Sequence, residues 1–347
     1  MADTPITVDG SRGGGQILRT ALSLSTVLDT PFRIEHIRRG RPTPGLRSQH
    51  LAAVEVVAEL CDGEVSGAEL GAESLMFEPG SARRTPVEAT IGTAGSVTLL
   101  FDTVLPIGAF SSEPLALTAT GGTDVKWSPT VAYQRLVKCP LLASQGVNAE
   151  IDVERTGFYP AGGGRAVVRT APSSPSPIRI DSRGELLDVE VHSKAAETLR
   201  EPRVAERQAE HARDLLGAAG LPASVVDVAY VPSRSTGSSL LVRGRYAETV
   251  VGFSALGERG RPSEAVADAA VERFRAFHGG SAPVDQFMAD QVMVFLALAG
   301  GRVRIPAATD HVRTNLETVA RFGSDMRLDR RSDGTCVLEA SAHPALG

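Results

Sequence analysis

The 347-residue sequence holds only three cysteines, Cys61, Cys139 and Cys336. They are widely spaced and odd in number. That excludes a disulfide framework, leaves no paired spacing for a structural zinc site, and fits a reducing cytoplasm. Long apolar runs are missing too. The continuous apolar stretch 292–299 is too short to cross a bilayer and reads as a buried helix. The first residues show no basic region followed by an apolar one, so no signal peptide is expected. An excess of positive charge is also absent: 36 Lys and Arg stand against 41 Asp and Glu, a net charge of −5. A protein that grips long nucleic acid by its phosphates usually carries the opposite balance. Recognition of a strand end or a nucleotide remains open, because Arg38, Arg39, Arg41 and Arg47 cluster locally. Hydrophobic and charged contents of 42% and 22% describe an ordinary globular protein, long enough for two or more domains.

Periodicity predicts a strand over 6–8, a glycine turn, and a helix over about 16–28 with Ile17, Ala21, Leu24 and Leu28 inward. A strand over 33–38 and a Pro/Gly loop follow. The next helix turns Leu51, Val54, Val57 and Cys61 inward, and short strands lie at 64–65 and 75–77. A similar order returns: a helix opened by 90–96 and running to about 104, a strand over 115–118, a helix over 129–145, and strands over 150–154 and 165–170. The Pro/Ser-rich segment 171–177 is a linker. Beyond it lie a strand over 186–192, a helix over 204–219, strands over 224–231, 239–242 and 249–254, and a helix over 263–277. The helix 284–298 and the segment around His311 are again similar to the first half. The expectation is an α+β protein, with a large domain formed by 1–181 and 279–347 and a small αβ domain inserted at 182–278.

Several stretches could carry chemistry. His311 lies in a polar turn after the basic strand 302–305 and before a helix that Thr314 could cap near Asn315. A largely unprotonated imidazole there is a nucleophile, although a lone loop histidine is more often merely solvated. Gly13–Gly15 at a helix start offers an anion nest with Arg19 one turn in, or simply a tight turn. Arg38, Arg39, Arg41, Arg47, Gln49 and His50 form a phosphate grip or a solvated face. Thr93–Ser96 is a second nest. Its helix carries Asp102, which faces either solvent or a cleft as a metal or hydroxyl partner. Phe287, Met288, Ala289, Asp290 and Gln291 open the apolar helix, where the acid and amide hold a base or ribose, or line an exposed first turn.

These pieces occur together, and in this order, in one family. Gly13-Gly14-Gly15-Gln16-Ile17-Leu18-Arg19, Arg41-Pro42-Thr43-Pro44-Gly45-Leu46 with Gln49-His50-Leu51, and Ile91-Gly92-Thr93-Ala94-Gly95-Ser96 are three of the carrying motifs. Gly121-Gly122-Thr123-Asp124, Gly157-Phe158-Tyr159-Pro160-Ala161-Gly162-Gly163-Gly164, Ala289-Asp290-Gln291 and His311 with Thr314-Asn315 continue the series. Over nearly its whole length the chain resembles RNA 3′-terminal phosphate cyclases. The resemblance implies a large domain of repeated βαβαββ units, each similar to the C-terminal domain of a translation initiation factor, with a smaller αβ domain inserted.

It also implies a reaction. The family's histidine, matched by His311, attacks the α-phosphorus of ATP and becomes a covalent histidine–AMP. AMP passes to an RNA 3′-phosphate, and the 2′-OH then displaces it to leave a 2′,3′-cyclic phosphate. Arg19, Arg41 and Gln49 match residues around the phosphates. Phe253, Phe287, Asp290 and Gln291, with Met288 and Ala289 between them, match the adenosine pocket, which Pro129 also lines. Magnesium or manganese would offset triphosphate charge. Two positions depart from the family. The usual Gly-Glu-Gly-Gly-Gly-Gln turn has lost its Glu here, since Ser11-Arg12 precede the glycines. Asp102 stands where the family has Gln, and is expected at the nucleotide site, either hydrogen-bonding the nucleotide as Gln would or acting as a metal ligand. The resemblance leaves two other classes open: a non-catalytic relative acting in ribosome maturation, and a small-molecule transferase on related repeats. No membrane partner is expected, and the oligomeric state is left open.

Overall fold

A computed structural model gives the structure of the protein over residues 5–81, 83–173 and 175–346. The N-terminal order folds as β1 (Ile6–Asp9), α1 (Gly15–Leu28), β2 (Phe32–Glu35), α2 (Ser48–Cys61), β3 (Glu64–Ser66) and β4 (Leu75–Glu78), with sheet order β1-β2-β4-β3. β1 and β2 are parallel, and the other pairings are antiparallel. Both helices end on an Asp in the left-handed conformation, Asp29 and Asp62. A short polar side chain tolerates that geometry better than a branched one. β2 stops earlier than the predicted 33–38, because His36 and Arg38 take positive φ and turn the chain.

The second unit is β5 (Val87–Thr90), α3 (Val97–Ala109), β6 (Leu115–Gly121), α4 (Val131–Tyr133), a π-helical stretch (Gln134–Lys138), α5 (Cys139–Ser144), β7 (Ala149–Arg155) and β8 (Gly164–Thr170). Its order, β5-β6-β8-β7, repeats the first. Sequence reading missed β5, whose four residues bury one side chain, Val87. It also ended α3 too early, at about 104, where the helix runs on to Ala109; its start after 96 is as expected. Ser96 is the cap, its Oγ accepting from Leu99 N at 3.3 Å.

A third unit begins at β9 (Ile178–Ile180) and is then interrupted. The interruption holds β10 (Leu186–Ala196), α6 (Val204–Ala218), β11 (Ala223–Val231), β12 (Ser238–Tyr246), β13 (Val250–Gly257) and α7 (Ser263–His278), with sheet order β11-β10-β12-β13. Arg183 donates to the carbonyls of Phe277, His278 and Gly280, so the chain enters and leaves this segment at one point. The third unit resumes with α8 (Met288–Gln291), α9 (Met293–Ala299), β14 (Gly301–Ile305), α10 (Asp310–Arg321), β15 (Arg327–Arg330) and β16 (Cys336–Ala340). Read from β9, its order is β9-β14-β16-β15, the same once more. The fold is α+β.

Two apolar clusters result. One gathers residues of all three repeated sheets around α1, α3 and the fully buried α9. The other lies between the β10–β13 sheet and helices α6 and α7, around Val191, Leu216, Val242 and Phe274. Leu241 and Val250 turn the other way and join the first cluster. Among the described residues no helix is long and apolar enough to cross a membrane.

Candidate active site

The ends of the chain meet to form the cleft. Gln16, in the first turn of α1, accepts from Gly14 N at 3.0 Å and donates to Thr314 Oγ1 at 3.1 Å. Thr20 donates to Asn315 Oδ1 at 3.1 Å. The glycine turn and α10 are thereby fixed side by side. α10 starts at Asp310, earlier than predicted, with Thr309 as its cap: Thr309 Oγ1 accepts from Val312 N at 3.2 Å. Thr309 offers the cap chemistry expected of Thr314, and no breaker separates it from Asn315. His311 therefore stands in the first turn of a helix rather than in a loop before one.

The His311 side chain is half exposed, and its Nδ1 lies 3.1 Å from Asp290 Oδ2. A carboxylate accepting from Nδ1–H leaves Nε2 with its lone pair free. Arg19 sits in the field of both Asp290 and Asp102. Burial lowers its pKa, and the two carboxylates pull it back up.

The glycines are needed for close approach. A Cβ on Gly14 would come within 3.0 Å of Arg41 Nη2; one on Gly15 would come within 2.3 Å of His50 Nε2 and 2.9 Å of Arg19 Nη1. Arg41, His50 and Arg19 thus close on backbone that carries no side chain, an arrangement suited to an anion. His50 is buried, and its pKa is held down at about 3 by burial and by Arg19, Arg38 and Arg47. It is neutral at physiological pH. Nδ1 accepts from Arg47 N at 3.0 Å, so the ring proton is on Nε2, facing the glycines. Arg38 instead braces the Pro/Gly loop by donating to Thr43 O and Gly45 O. Gln49 reaches the second nest, where its Oε1 accepts from Ser96 N at 3.4 Å.

The residues expected around the nucleotide divide. Phe287 is 36% exposed and meets Tyr133 edge-on, with centroids 6.4 Å apart. Gln291 Nε2 donates to Phe287 O at 2.8 Å, and its Oε1 is buried without a partner among the described residues. Pro129 O accepts from Thr98 Oγ1 at 2.8 Å at the entry to α4. Met288 and Ala289 are sealed in the core, 1% and 0% exposed, and only hold their neighbours in place. Phe253 is not brought to the cleft. Alternation along β13 turns it into the second cluster, against Phe274 and Phe277, while Gly252 and Ser254 face the other way. A sequence match fixes position along a strand, but the strand's pleat decides which face the ring takes.

Asp102 also has a different setting from the one expected. The buried Lys138 ammonium pairs with its Oδ1, and Gln134 Nε2 donates to the same oxygen at 2.6 Å. Its charge is already matched by the Lys138 ammonium. Among the described residues no cluster of three His, Cys, Asp or Glu could hold a metal. Asp102 is thus not set out as a dedicated metal ligand, whereas an ion held mainly by triphosphate oxygens would need no such cluster.

Sequence reasoning missed Lys138, Gln134 and Asp285. Lys138 was visible as a cation set between the apolar Leu136-Val137 and Cys139-Pro140-Leu141. Asp285 is fully buried below Phe287 and accepts from Tyr133 Oη at 2.8 Å, from Phe287 N and Met288 N at 2.9 Å, and from Gly252 N at 3.2 Å. Burial raises its pKa from 3.8 to about 6, although each donor pulls it down. Between those values the folded state holds more proton than the unfolded chain. This group's contribution to stability is thus full below about pH 4 and lost as pH rises through about 6. Asp285→Asn should flatten that segment of the stability profile. It should also lower stability throughout, since its amide would face the Gly252 N–H. Urea unfolding at a series of pH values tests this; an unchanged slope would show that Asp285 does not titrate there.

A cavity of about 560 Å³ between the β10–β13 sheet and β7 is separate from this cleft. Arg135, Arg155, Arg165, His192 and Lys194 line it, and none of the site residues expected from the sequence does.

Comparison with known proteins agrees with the motifs. A family model described as RNA 3′-terminal phosphate cyclase matches residues 11–326. A protein of that name from Halobacterium salinarum is 40% identical over 346 residues, covering 96% of this chain and 99% of the relative. Another from Hyperthermus butylicus is 42% identical over 327 residues, with 90% of each chain covered. A third, from Pyrobaculum aerophilum, is 40% identical over 323 residues, covering 91% of this chain and 92% of the relative. The chain belongs to the RNA 3′-terminal phosphate cyclase family of enzymes.

Proposed function

We propose that the protein uses ATP to convert an RNA 3′-terminal phosphate into a 2′,3′-cyclic phosphate, with His311 as the nucleophile. The observation that carries this reading is the Asp290–His311 pair, which leaves Nε2 free beside the glycine turn. Nε2 forms a bond to the α-phosphorus as the bond to the β-phosphate oxygen breaks and pyrophosphate leaves. An oxygen of the RNA 3′-phosphate then displaces the imidazole, giving a mixed anhydride. The neighbouring 2′-OH attacks the 3′-phosphorus, loses its proton and expels AMP. The hydroxyl is held in place by the ribose, so the last step needs little further orientation.

Arg19, Arg41 and the Nε2–H of His50 hold the phosphates against Gly14 and Gly15. Gln49 orders the second nest. Phe287 and Pro129 flank the base, and the unpartnered Oε1 of Gln291 receives an N–H or O–H from the nucleoside. Asp102 serves by fixing Lys138 and Gln134 rather than by binding a metal. The segment 182–278 is assigned as a separate inserted domain, with 1–181 and 279–347 as the larger one. The three buried free cysteines fit a cytoplasmic setting.

Incubation with α-labelled ATP and a 3′-phosphorylated oligoribonucleotide tests the reading. Label should enter the protein as an acid-labile, alkali-stable adduct and pass to RNA, and the RNA end should become resistant to phosphatase. The non-catalytic alternative requires an unlabelled protein and an end that stays phosphatase-sensitive.

A further inference from the structure

Aromatic residues make up 5% of the chain. Among the described residues three aromatic side chains are exposed: Trp127 at 94%, Tyr159 at 72% and Phe287 at 36%. Phe287 belongs to the nucleotide pocket. The other two have no role in the chemistry above, yet both border the cleft. Trp127 lies two residues before Pro129. Tyr159 follows Phe158, which bridges to Asp124, and Gly162 beyond it closes against Thr93 and Ala94 of the second nest.

Trp127 is costly where it stands. A side chain of that size normally hides most of its surface, and this one is almost wholly in water. Its φ of 59° lies in the left-handed region, which bulky residues rarely occupy. Outliers of this kind persist where the surroundings enforce them, and they gather at binding sites. The flanks do enforce it: Lys126 pairs with Glu258 at 2.7 Å, and Ser128 Oγ donates to Val125 O at 3.0 Å. The neighbourhood is also cationic. Arg155 Nε donates to Gly163 O at 2.6 Å, and a Cβ on Gly163 would meet Arg234 Cδ at 2.7 Å. Arg234 makes no ion pair among the described residues.

We propose that Trp127, with Tyr159 on the segment that bridges to Asp124, is a stacking surface for the unpaired bases immediately upstream of the RNA 3′ end. The inference rests on the cyclase reading and adds where the strand lies. Base–aromatic stacking tolerates any sequence, because every base has a π face. It suits an enzyme that acts on an end whatever bases precede it. It also suits a net charge of −5, since a few stacked bases and one or two phosphates on Arg155 and Arg234 replace a long backbone grip.

Trp127 is the chain's single tryptophan, so its emission reports on this position alone. A single-stranded 3′-phosphorylated oligoribonucleotide should quench it, whereas uridine 3′-monophosphate, which lacks an upstream base, should not. Trp127→Ala should raise the KM for the oligonucleotide about fivefold or more, while Trp127→Phe keeps most of the affinity. kcat should be largely retained. Emission unmoved by the oligonucleotide, or the same KM in Trp127→Ala, would overturn the proposal. Emission that changes with protein concentration alone would assign the face to self-association and also overturn it. Absence of any label from α-labelled ATP in the unaltered protein would instead count against the cyclase reading. If Trp127→Ala folds poorly, the titration of the unaltered protein still decides.

Discussion

His311→Ala should leave no covalent label on the protein after incubation with α-labelled ATP, while ATP still binds. The cleft offers no substitute nucleophile: all three cysteines are buried, and His50 is neutral with Nε2 protonated. The phosphate grip of Arg19, Arg41 and His50 does not depend on His311, so equilibrium binding of ATP should survive. Asp290→Asn should have a smaller effect. The amide oxygen can still accept from Nδ1–H at the present 3.1 Å separation, but the negative charge beside the ring is lost. Asp→Asn beside a catalytic histidine can cost as much as about 10⁴-fold in rate, and a clear fall in labelling rate, with some label still formed, is expected. Full labelling of His311→Ala would move the nucleophile elsewhere and remove the basis of the proposed chemistry.

Asp102→Asn should produce the largest loss of stability of any single change in the cleft. Side-chain exposure is 1% for Lys138 and 13% for Asp102, so water does little to screen the pair. Removing one partner leaves an ammonium buried without a counter-charge, which costs about 3–5 kcal/mol in comparable pairs. Denaturant unfolding of the single variant should show that loss, and a second change, Lys138→Met, should recover much of it. A metal role for Asp102 makes the opposite forecast: normal stability, but a higher metal concentration for half-maximal labelling. Unchanged unfolding midpoints would refute the ion-pair account.

Much of this was legible in the chain because it rests on short-range rules. Glycines mark the turn before α1, alternation marks β6, and a continuous apolar run marks α9. The grouping of Arg19, Arg41, Gln49, Asp290 and His311 around the cleft came from motif order, and the structure places them on neighbouring elements. What could not be read depends on pairing at a distance. The Asp102–Lys138 pair joins residues from two helices, and neither residue alone says that the other is opposite. Phe253 shows the same limit, since only the sheet's packing decides which side of β13 faces the cleft. The start of α10 was misplaced for a local reason: Thr309 and Thr314 are equally good caps in isolation, and once Thr309 caps the helix Thr314 lies inside it, donating back to Asp310 O.

The bonds between α1 and α10 also bear on how the protein is made. Gln16 and Thr314 are 298 residues apart, and Thr20 and Asn315 are 295 apart. At about 5–20 residues per second of synthesis, the glycine turn waits roughly 15–60 seconds before its partner helix exists. Throughout that interval the buried polar groups of Gln16 and Thr20 have only solvent or transient contacts to satisfy them. A nascent chain stalled between about residue 170 and residue 310 holds the strands of two repeated sheets and still possesses no cleft. The proposed site is therefore complete only once α10 has been made, and shorter products would lack it.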